Sequence, residues 1–368
     1  MINKEKFYKK RVFYGILDWG LGHTTRSIPL IRFLQELGFE VVIACNSTQQ
    51  KVLSAELKNA RFLLLKGYAL EYGNSSWHTK LKIGLQSLNI LTNIKSENGW
   101  IRAQMALEKP DLIISDNRYG FRNGSIPSVL ITHQLQVRTG LGVIADLIMK
   151  QFLRTQFKHF NSCWVPDIEN APGLAGELSH PAFQLPCPVS YLGLVSRLER
   201  PTIDNSDGPV VVILSGPEPQ RTVLEHRIIE GLKATTRPIV IVRGKPDGGS
   251  LPLLPENVEV YDHLPASQLS VLVATASYVI SRSGYTTLMD MFKLGKKLIA
   301  IPTPGQAEQE YLGKILHKER RLLCIDQQTF DIGTAIVQAE AFEFRTWEEA
   351  SFDLYKSVIS GQLDLLLK

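Results

Sequence analysis

Residues 11–26 read RVFYGILDWGLGHTTR, and this stretch decides the fold class. The run Arg11–Leu17 has the length and the apolar, aromatic content of a buried strand. Gly20 and Gly22 follow it, and a helical pattern then continues through Leu37. A strand, a glycine turn and a helix start together form the first βα unit of a parallel sheet.

The same alternation of short strands and longer amphipathic stretches continues along the whole chain. In the first half the predicted strands are Arg11–Leu17, Glu40–Cys45, Arg61–Leu65, Asp111–Ser115, Ser128–Thr132 and Ser162–Val165. In the second half they are Pro209–Leu214, Pro238–Val242, Asn257–Tyr261, Ser277–Ile280, Lys297–Ile301 and Leu322–Ile325. Two sets of this kind predict an α/β protein with two doubly wound, Rossmann-like domains facing each other across a cleft.

The domain boundary is expected within Pro181–Gly208, which is polar, contains several prolines and lacks periodic apolar residues. We therefore predict an N-terminal domain over residues 1–190 and a C-terminal domain over 191–345. Residues 346–368 have apolar positions near helical spacing, which predicts a terminal helix that packs back on the N-terminal domain.

Composition excludes several classes of protein. The net charge of +5 on 368 residues is scattered, so a nucleic-acid partner is not indicated. The four cysteines form no CxxC pair, which argues against structural zinc and a disulfide scaffold and favours a reducing, cytoplasmic compartment. The first ten residues do not resemble a signal peptide, and no run approaches the roughly 20 apolar residues of a membrane span. At most, a peripheral membrane contact is expected.

In the first domain, His23 follows the glycine loop and could act as a general base toward an acceptor hydroxyl. Asp116 ends the fourth strand and could orient that imidazole, because the carboxyl ends of parallel strands share one edge of the sheet. The alternatives are that His23 packs the loop and that Asp116 caps a turn. Gly20, Gly22, Asn117 and His133 lie at the same edge and are expected on the acceptor side, although His133 could equally be a buried, hydrogen-bonded histidine.

The glycine loop is a poor dinucleotide site, because Thr25 stands where G-x-G-x-x-G needs its third glycine. No phosphate-binding P-loop, H-E-x-x-H motif or D-x-D pair occurs either. We therefore expect neither a metal nor a bound cofactor.

The second domain has two polar loops in succession, Ser281–Asp290 and Pro302–Tyr311. The first opens a helix whose amides could hold a diphosphate. The side chains expected around a nucleotide-sugar in these loops are Ser283, Gly284, Thr286, Thr287, Asp290, Gln309 and Glu310. Helix capping is the alternative for each of them.

These two loops, together with Gly20–His23, resemble MurG-like glycosyltransferases of the GT-B fold. The resemblance implies that Asp290 binds the ribose, Gln309 and Glu310 the donor sugar, and Ser283 and Gly284 the diphosphate. It implies that the base lies against the backbone near Asp262 and His263, and that Ser215, Gly216 and Arg282 belong to the same donor site. Arg243, at a strand end, could pair with the donor phosphates or stack on the base, and the alternative is a surface arginine.

The sequence departs from that family in two loops. Residues 214–221 read LSGPEPQR where the family has a Gly-Gly-Ser loop, and residues 132–136 read THQLQ where MurG has a His-Glu-Gln-Asn turn. The acceptor is therefore expected to differ from a peptidoglycan precursor, within a role in cell-envelope glycoconjugate synthesis.

The expected activity is an inverting, metal-independent transfer of a sugar from a nucleotide-sugar, with UDP as the first candidate, to a hydroxyl acceptor. Inversion is expected because the Glu-x7-Glu pair of retaining GT-B enzymes is missing: Ala300 and Pro302 stand eight positions before Glu308 and Glu310. The alternatives are a nucleotide-sugar epimerase or hydrolase of the same fold and a non-catalytic nucleotide-sugar-binding accessory protein.

The stretch Leu141–Phe160 interleaves apolar and basic residues, a pattern that can lie on an anionic bilayer and suit a lipid-linked acceptor. A helix that packs on the first domain's sheet would show the same spacing.

Overall fold

The computed structural model describes residues 7–68, 76–202, 207–216, 218–245, 248–345 and 352–368, with the backbone alone for residues 76–89 and 234. The chain forms two compact units. The first comprises Met1–Leu70, Ile83–Val195 and Ala350–Lys368, and the second comprises Glu71–Lys82 and Ser196–Glu349.

Each unit contains one fully parallel sheet. In the first unit the strand order is β3-β2-β1-β4-β5-β6-β7. Its strands are β1 Arg11–Ile16, β2 Glu40–Cys45, β3 Arg61–Leu64, β4 Leu112–Asp116, β5 Ser128–Ile131, β6 Ser162–Val165 and β7 Val189–Tyr191. In the second unit the order is β10-β9-β8-β11-β12-β13. Its strands are β8 Val210–Ile213, β9 Ile239–Val242, β10 Val258–Tyr261, β11 Tyr278–Ser281, β12 Leu298–Ala300 and β13 Leu323–Cys324.

Helices connect successive strands, as parallel pairing requires. They are α1 Gly22–Glu36, α2 Ser47–Glu56, α3 Ser76–Glu108, α4 Val143–Phe157, α5 Gln220–Gly231, α6 Ala266–Thr275, α7 Tyr285–Lys293, α8 Ala307–Lys318, α9 Ile332–Ala341 and α10 Leu354–Leu366. In both sheets the strand order reverses beside the first strand, which is the arrangement of doubly wound α/β domains. The predicted fold class, an α/β protein with two doubly wound domains, is confirmed.

The first sheet is buried on both faces, which explains why its strands have continuous apolar sequences. Val12, Tyr14 and Ile16 of β1 point into one core cluster, and Phe13 points into another on the opposite face. Tyr355, Ile359 and Leu363 of α10 belong to the same cluster as Val12. The C-terminal helix thus completes the core of the first unit. Residues 346–351, which precede it, lie outside the described residues.

The predicted strands agree with the structure to within one residue at each end, but the predicted linker is wrong in part. Residues 189–191 form β7, which pairs in parallel with β6, so the boundary predicted at residue 190 falls inside a strand. Leu192 and Val195 are fully buried in the first unit's core. The chain passes to the second unit between Val195 and Ser196. Of the polar stretch that follows, residues 203–206 lie outside the described part.

The two ends of α4 differ in how far their apolar side chains are buried. Near the end of α4, Leu153 and Phe157 are buried against the first sheet. Apolar side chains at its start are exposed by 52–77%: Leu141, Val143, Ile144, Leu147 and Ile148. In the described part of the chain, no helix has the length and apolar character needed to cross a membrane.

Candidate functional site

His23 and Asp116 lie within hydrogen-bonding distance of each other. His23 is the second residue of α1, after the glycine loop that follows β1, and Asp116 is the last residue of β4. Strands β1 and β4 are neighbours at the point where strand order reverses, which is where open α/β sheets bind ligands. His23 Nδ1 is 2.8 Å from Asp116 Oδ1. The two residues chosen from the sequence are therefore brought together.

The environment keeps His23 neutral and Asp116 ionised. Burial and the Arg26 guanidinium lower the pKa of His23, and together they outweigh Asp116, which raises it. Burial by itself would raise the pKa of Asp116, but Arg26 and His23 hold it below its ordinary value. A neutral imidazole can accept a proton, as a general base must. The His23 side chain is 14% exposed while that of Asp116 is fully buried, so the imidazole is the member of the pair that solvent or a ligand can reach.

Sequence reasoning missed Arg26, which donates from Nε to Asp116 Oδ2 at 3.0 Å and from Nη2 to Asp116 Oδ1. One signal could have revealed it: Arg26 follows His23 by three positions on the same helix, so both lie on one face. A buried arginine also needs a charged or polar partner.

The residues expected on the acceptor side have different environments. Gly20 has a φ of 73°, a left-handed conformation that favours glycine, whereas Gly22 begins α1. Asn117 is also left-handed, and its Oδ1 is buried without a hydrogen-bond partner in the described structure. His133 is 4% exposed, with Nδ1 3.3 Å from Arg26 Nη1, which fits the alternative of a buried, hydrogen-bonded histidine.

A second buried ion pair, also missed, supports the glycine loop. Arg118 donates from Nε to Glu97, whose other oxygen accepts from the Tyr68 hydroxyl at 2.7 Å. The backbone N of Tyr68 donates to Asp18 Oδ1 at 3.0 Å. A Cβ at Gly67 would lie 1.9 Å from Asp18 Oδ2, so only glycine permits this approach. Asp18, the first residue after Leu17, is thereby fixed in place.

In the second unit, Gln309 ties together the loops that follow β11 and β12. Its backbone O accepts from Ser283 Oγ at 2.8 Å, and its Oε1 accepts from Thr303 N at 2.9 Å. Gly284 is the N-cap of α7 and no side chain caps that helix start. The amides that begin α7 therefore lie beside a fixed neighbouring loop.

The loop after β12 presents polar atoms that lack protein partners. Thr303 Oγ1 and Gln306 Oε1 are buried without a hydrogen bond among the described residues. Glu310 Oε1 accepts from Gly305 N at 2.7 Å and so holds the loop. Gly216, after β8, has a φ of 101°, and a Cβ there would be 4.0 Å from Thr303 Oγ1. Unpaired buried polar groups are costly unless something binds them.

Asp290, the residue expected to bind the ribose, has a side-chain partner within the second unit. It is half-buried on α7, and its Oδ1 accepts a hydrogen bond from Ser196 Oγ. Burial raises the pKa of Asp290 to about 6, against the opposing effects of Ser196, Arg197 and Lys293.

Two arginines expected to contact the donor serve the interior of the second unit instead. Arg282 is 1% exposed and donates from Nη2 to Gln220 O at 2.7 Å and from Nη1 to Ile301 O at 3.1 Å. Burial lowers its pKa to about 10. Arg282 thus joins the ends of β11 and β12 to the start of α5 and is not a phosphate ligand here.

Arg243 is 2% exposed, so it is not a surface arginine. Its Nε donates to Glu225 at 2.6 Å, and its Nη1 donates to Asp262 at 2.7 Å and to Gly249 O at 2.8 Å. A neighbouring strand end and helix α5 supply these partners, which no local sequence pattern reveals. The structure therefore does not present Arg243 as a phosphate contact.

The remaining candidates of the second unit lie at strand or helix ends. Asp262 and His263 follow β10 and are exposed. Thr286 and Thr287 are half-buried in the first turn of α7. Ser215 follows β8 with Gly216, and Pro217 lies outside the described residues. Within the described ranges, no group of three or more His, Cys, Asp or Glu side chains could hold a metal ion.

Comparison with known proteins gives one family match, and it falls on the second unit. Residues 222–341 match the glycosyltransferase family 28 C-terminal domain. No curated protein matches the chain.

Solved glycosyltransferase structures share the fold of the whole chain. The spinosyn rhamnosyltransferase SpnG has 16% identity and a TM-score of 0.64, with 97% of this chain and 96% of that chain covered. The glycosyltransferase of kitacinnamycin has 16% identity and a TM-score of 0.63, with 98% and 94% covered. CalG4, the calicheamicin glycosyltransferase, has 13% identity and a TM-score of 0.59, with 98% and 93% covered.

At these identities the likeness to solved structures concerns the fold, and the enzyme class rests on the family match. The protein is a glycosyltransferase with the two-domain GT-B fold, and residues 222–341 are similar to the family 28 C-terminal domain.

Proposed function

We propose that the protein transfers a sugar from a nucleotide diphosphate sugar, with UDP as the first candidate nucleotide, to a hydroxyl acceptor. The observation that carries the proposal is the family 28 match over residues 222–341. It covers α7 and the loop after β12, where the structure has an uncapped helix start and unpaired buried polar atoms. SpnG, which shares the fold, has been solved with thymidine diphosphate and with the spinosyn aglycone, so a thymidine nucleotide is the main rival to UDP.

In the proposed donor site, the amides of Ser283 and Gly284 hold the diphosphate, since a helix N-terminus favours anions. The Ser283 hydroxyl is committed to Gln309 O, so this contact is assigned to the backbone. Thr286 and Thr287 supply hydroxyl groups, and Asp290 accepts from the ribose diol.

Further donor contacts come from loops after the strands. Gln309 and Glu310 face the sugar, the backbone at Asp262 and His263 faces the base, and Ser215 and Gly216 lie beside the phosphates. Gln309 and Glu310 also hold the backbone of the loop after β12, so their substitution is expected to affect loop shape as well as sugar contacts.

In the proposed reaction, His23 Nε2 takes the proton from the acceptor hydroxyl as its oxygen attacks the anomeric carbon. The bond from that carbon to the diphosphate oxygen breaks, and the nucleotide diphosphate leaves with the electron pair. A single displacement inverts the anomeric configuration. The helix start of α7 stabilises the leaving charge, so we propose that no divalent metal is required. Asn117 and the glycine loop contact the acceptor.

Donor binding can be tested by a thermal-shift panel of UDP-, GDP- and dTDP-sugars. A ligand that binds the native state raises the melting temperature by mass action. We expect one nucleotide class to stabilise both the wild type and His23→Ala, because His23 is assigned to the acceptor. The same ligand should raise the melting temperature of Asp290→Asn less than that of the wild type. If none of the three classes shifts the wild type, the proposed donor site is wrong.

We also propose a peripheral membrane contact through the exposed apolar start of α4, defined above by Leu141, Val143, Ile144, Leu147 and Ile148. Lys150, Arg154 and Lys158 follow on the same helix or just after it and would favour anionic lipid. The wild type should sediment with anionic vesicles at low salt and be released as salt rises. Ile144→Ser/Leu147→Ser should weaken this binding without loss of fold. Absence of wild-type co-sedimentation at low salt would favour a soluble acceptor.

A further inference from the structure

Arg26 contacts both members of the His23–Asp116 pair. It lies one turn after His23 on α1, and 2% of its surface is exposed. Its Nε and Nη2 donate to the two oxygens of Asp116. The same Nη2 is 2.8 Å from His23 Nδ1. One guanidinium group therefore anchors the carboxylate at two points and reaches the imidazole beside it.

The position of the His23 ring proton depends on which neighbour Nδ1 bonds. If Nδ1 carries the proton, it donates to Asp116 Oδ1, and Nε2 keeps a lone pair that can accept a proton. If Nδ1 instead accepts from Arg26 Nη2, the proton sits on Nε2 and the ring cannot act as a base there. Asp116 and Arg26 thus favour different tautomers of His23.

The charges around His23 decide whether it can hold a second proton. Arg26 on α1 and Asp116 on β4 compensate each other, and His133 faces Arg26 from the segment after β5. Tyr14 on β1 is fully buried, and burial raises its pKa well above the ordinary value, so it stays neutral. A protonated His23 would add an uncompensated positive charge to this cluster, which burial disfavours. Without Arg26, the Asp116 charge would be free to stabilise the imidazolium.

We propose that Arg26 is a positioning residue that keeps His23 unprotonated: it neutralises Asp116 while holding its carboxylate where Oδ1 can accept the Nδ1 proton. This inference rests on the proposed function, in which His23 is the base. It predicts that His23 remains able to accept a proton under mildly acidic conditions. The carboxylate partner of the proposed base is thus already paired with a buried cation.

The proposal predicts that two substitutions of Arg26 change the proton affinity of His23 to different extents. Arg26→Gln removes the charge but keeps hydrogen-bonding groups, so the His23 imidazolium should become paired with Asp116. Removing a like charge at this distance should raise the proton affinity of His23 about 10- to 1,000-fold. Arg26→Lys keeps the positive charge, so the proton affinity should remain close to that of the wild type.

The test is an NMR pH titration of the full chain labelled in its histidines, with the His23 signal identified by its loss in His23→Gln. In the wild type, His23 should be neutral at pH 7 with the proton on Nδ1. Arg26→Gln should titrate at higher pH than the wild type and Arg26→Lys. The acidic limb of kcat/KM should move to higher pH in Arg26→Gln by the same amount.

Equal titration midpoints in the wild type and a folded Arg26→Gln would overturn the proposal. If Arg26→Gln does not fold, a wild-type His23 that is an imidazolium at pH 7, or that carries its proton on Nε2, would overturn it as well. The NMR titrations need no turnover. A failure to detect transferase activity would therefore count against the proposed function, while the NMR titrations would still decide the role of Arg26.

Discussion

At the residue scale, His23 lies between a carboxylate and a guanidinium, and the balance between them decides its chemistry. Its Nδ1 is 2.8 Å from Asp116 Oδ1 and also 2.8 Å from Arg26 Nη2. The imidazole is neutral because burial and Arg26 outweigh Asp116 in setting its pKa. A neutral base with a fixed orientation is suited to taking the proton from an acceptor hydroxyl.

Substitution of His23 by Ala should lower turnover about 10²- to 10⁴-fold, the usual contribution of a general base, while donor affinity changes little. The proposed base acts on the acceptor in the transition state, whereas the proposed donor contacts lie on the second unit. Steady-state kinetics with saturating donor would show this loss. Near-normal turnover in the variant at neutral pH would remove His23 from the mechanism.

Asp290 should make donor affinity depend on pH. Its pKa is raised to about 6 by burial, so the carboxylate that is proposed to accept from a ribose hydroxyl is ionised above that pH and protonated below it. At pH 7.5, Asp290→Asn should weaken binding by about 1.5–3 kcal/mol, the range for a charge-assisted hydrogen bond.

Below pH 6 the difference in donor affinity between the wild type and Asp290→Asn should shrink. Calorimetry above and below pH 6 measures this difference in donor affinity.

A folded acid with a raised pKa also destabilises the protein as pH rises through that value. The unfolding free energy of the wild type should therefore fall more than that of Asp290→Asn between pH 5 and pH 7. A wild-type affinity that is flat across this range, or unchanged by Asp290→Asn, would exclude the carboxylate from the donor site.

At the scale of elements, both candidate regions occur where loops leave the carboxyl ends of adjacent parallel strands. In the first unit these strands are β1 and β4, and in the second they are β8, β11 and β12. Cross-links between loops hold the arrangement: Gln309 joins two loops of the second unit, and the Arg118–Glu97 pair fixes the loop after β1. These contacts fix the loops that carry the candidate residues relative to their strands.

Helix α10 offers a matched test of packing, because Leu363 is fully buried and Leu365 is 62% exposed on the same helix. Leu363→Ala should destabilise the first unit by about 2–5 kcal/mol through lost burial and a residual cavity. Leu365→Ala should change stability by no more than about 0.5 kcal/mol. Chemical denaturation followed by circular dichroism compares them. Equal effects of the two substitutions would mean that α10 does not pack in the first unit's core.

At the scale of the whole molecule, the proposed roles fall on different units, with the base on the first and the donor contacts on the second. The leaving charge is assigned to the α7 helix start and its neighbouring loop. Helix N-termini stabilise anions through oriented amides and their dipole, without a metal.

Activity should therefore survive EDTA treatment, with kcat essentially unchanged once the protein is separated from the chelator. Measurement of turnover before and after chelation, and after addition of Mg²⁺ or Mn²⁺, tests this expectation. A strict requirement for an added divalent cation would show that the leaving group needs more than the helix start.

The amino-acid pattern was sufficient to predict the strands and the loops of the candidate site. Buried parallel strands are short apolar runs whose pattern is local, so Glu40–Cys45 and Ser162–Val165 agree with the structure at both ends. The proximity of His23 and Asp116 also follows from the sequence, because residues at the carboxyl ends of neighbouring parallel strands share one edge of the sheet.

The edge strand β7 and the burial of three arginines could not be predicted from local sequence, because both depend on contacts made by the folded chain. Strand β7 has three residues, too few for a periodic signal, and it exists because β6 and the core beneath it offer partners. Arg26, Arg243 and Arg282 have sequences around them that suit a surface or ligand-binding residue, yet all three are buried. Burying a guanidinium is favourable only where carboxylates or carbonyls from distant elements receive its hydrogen bonds, and those partners come together only when the chain folds.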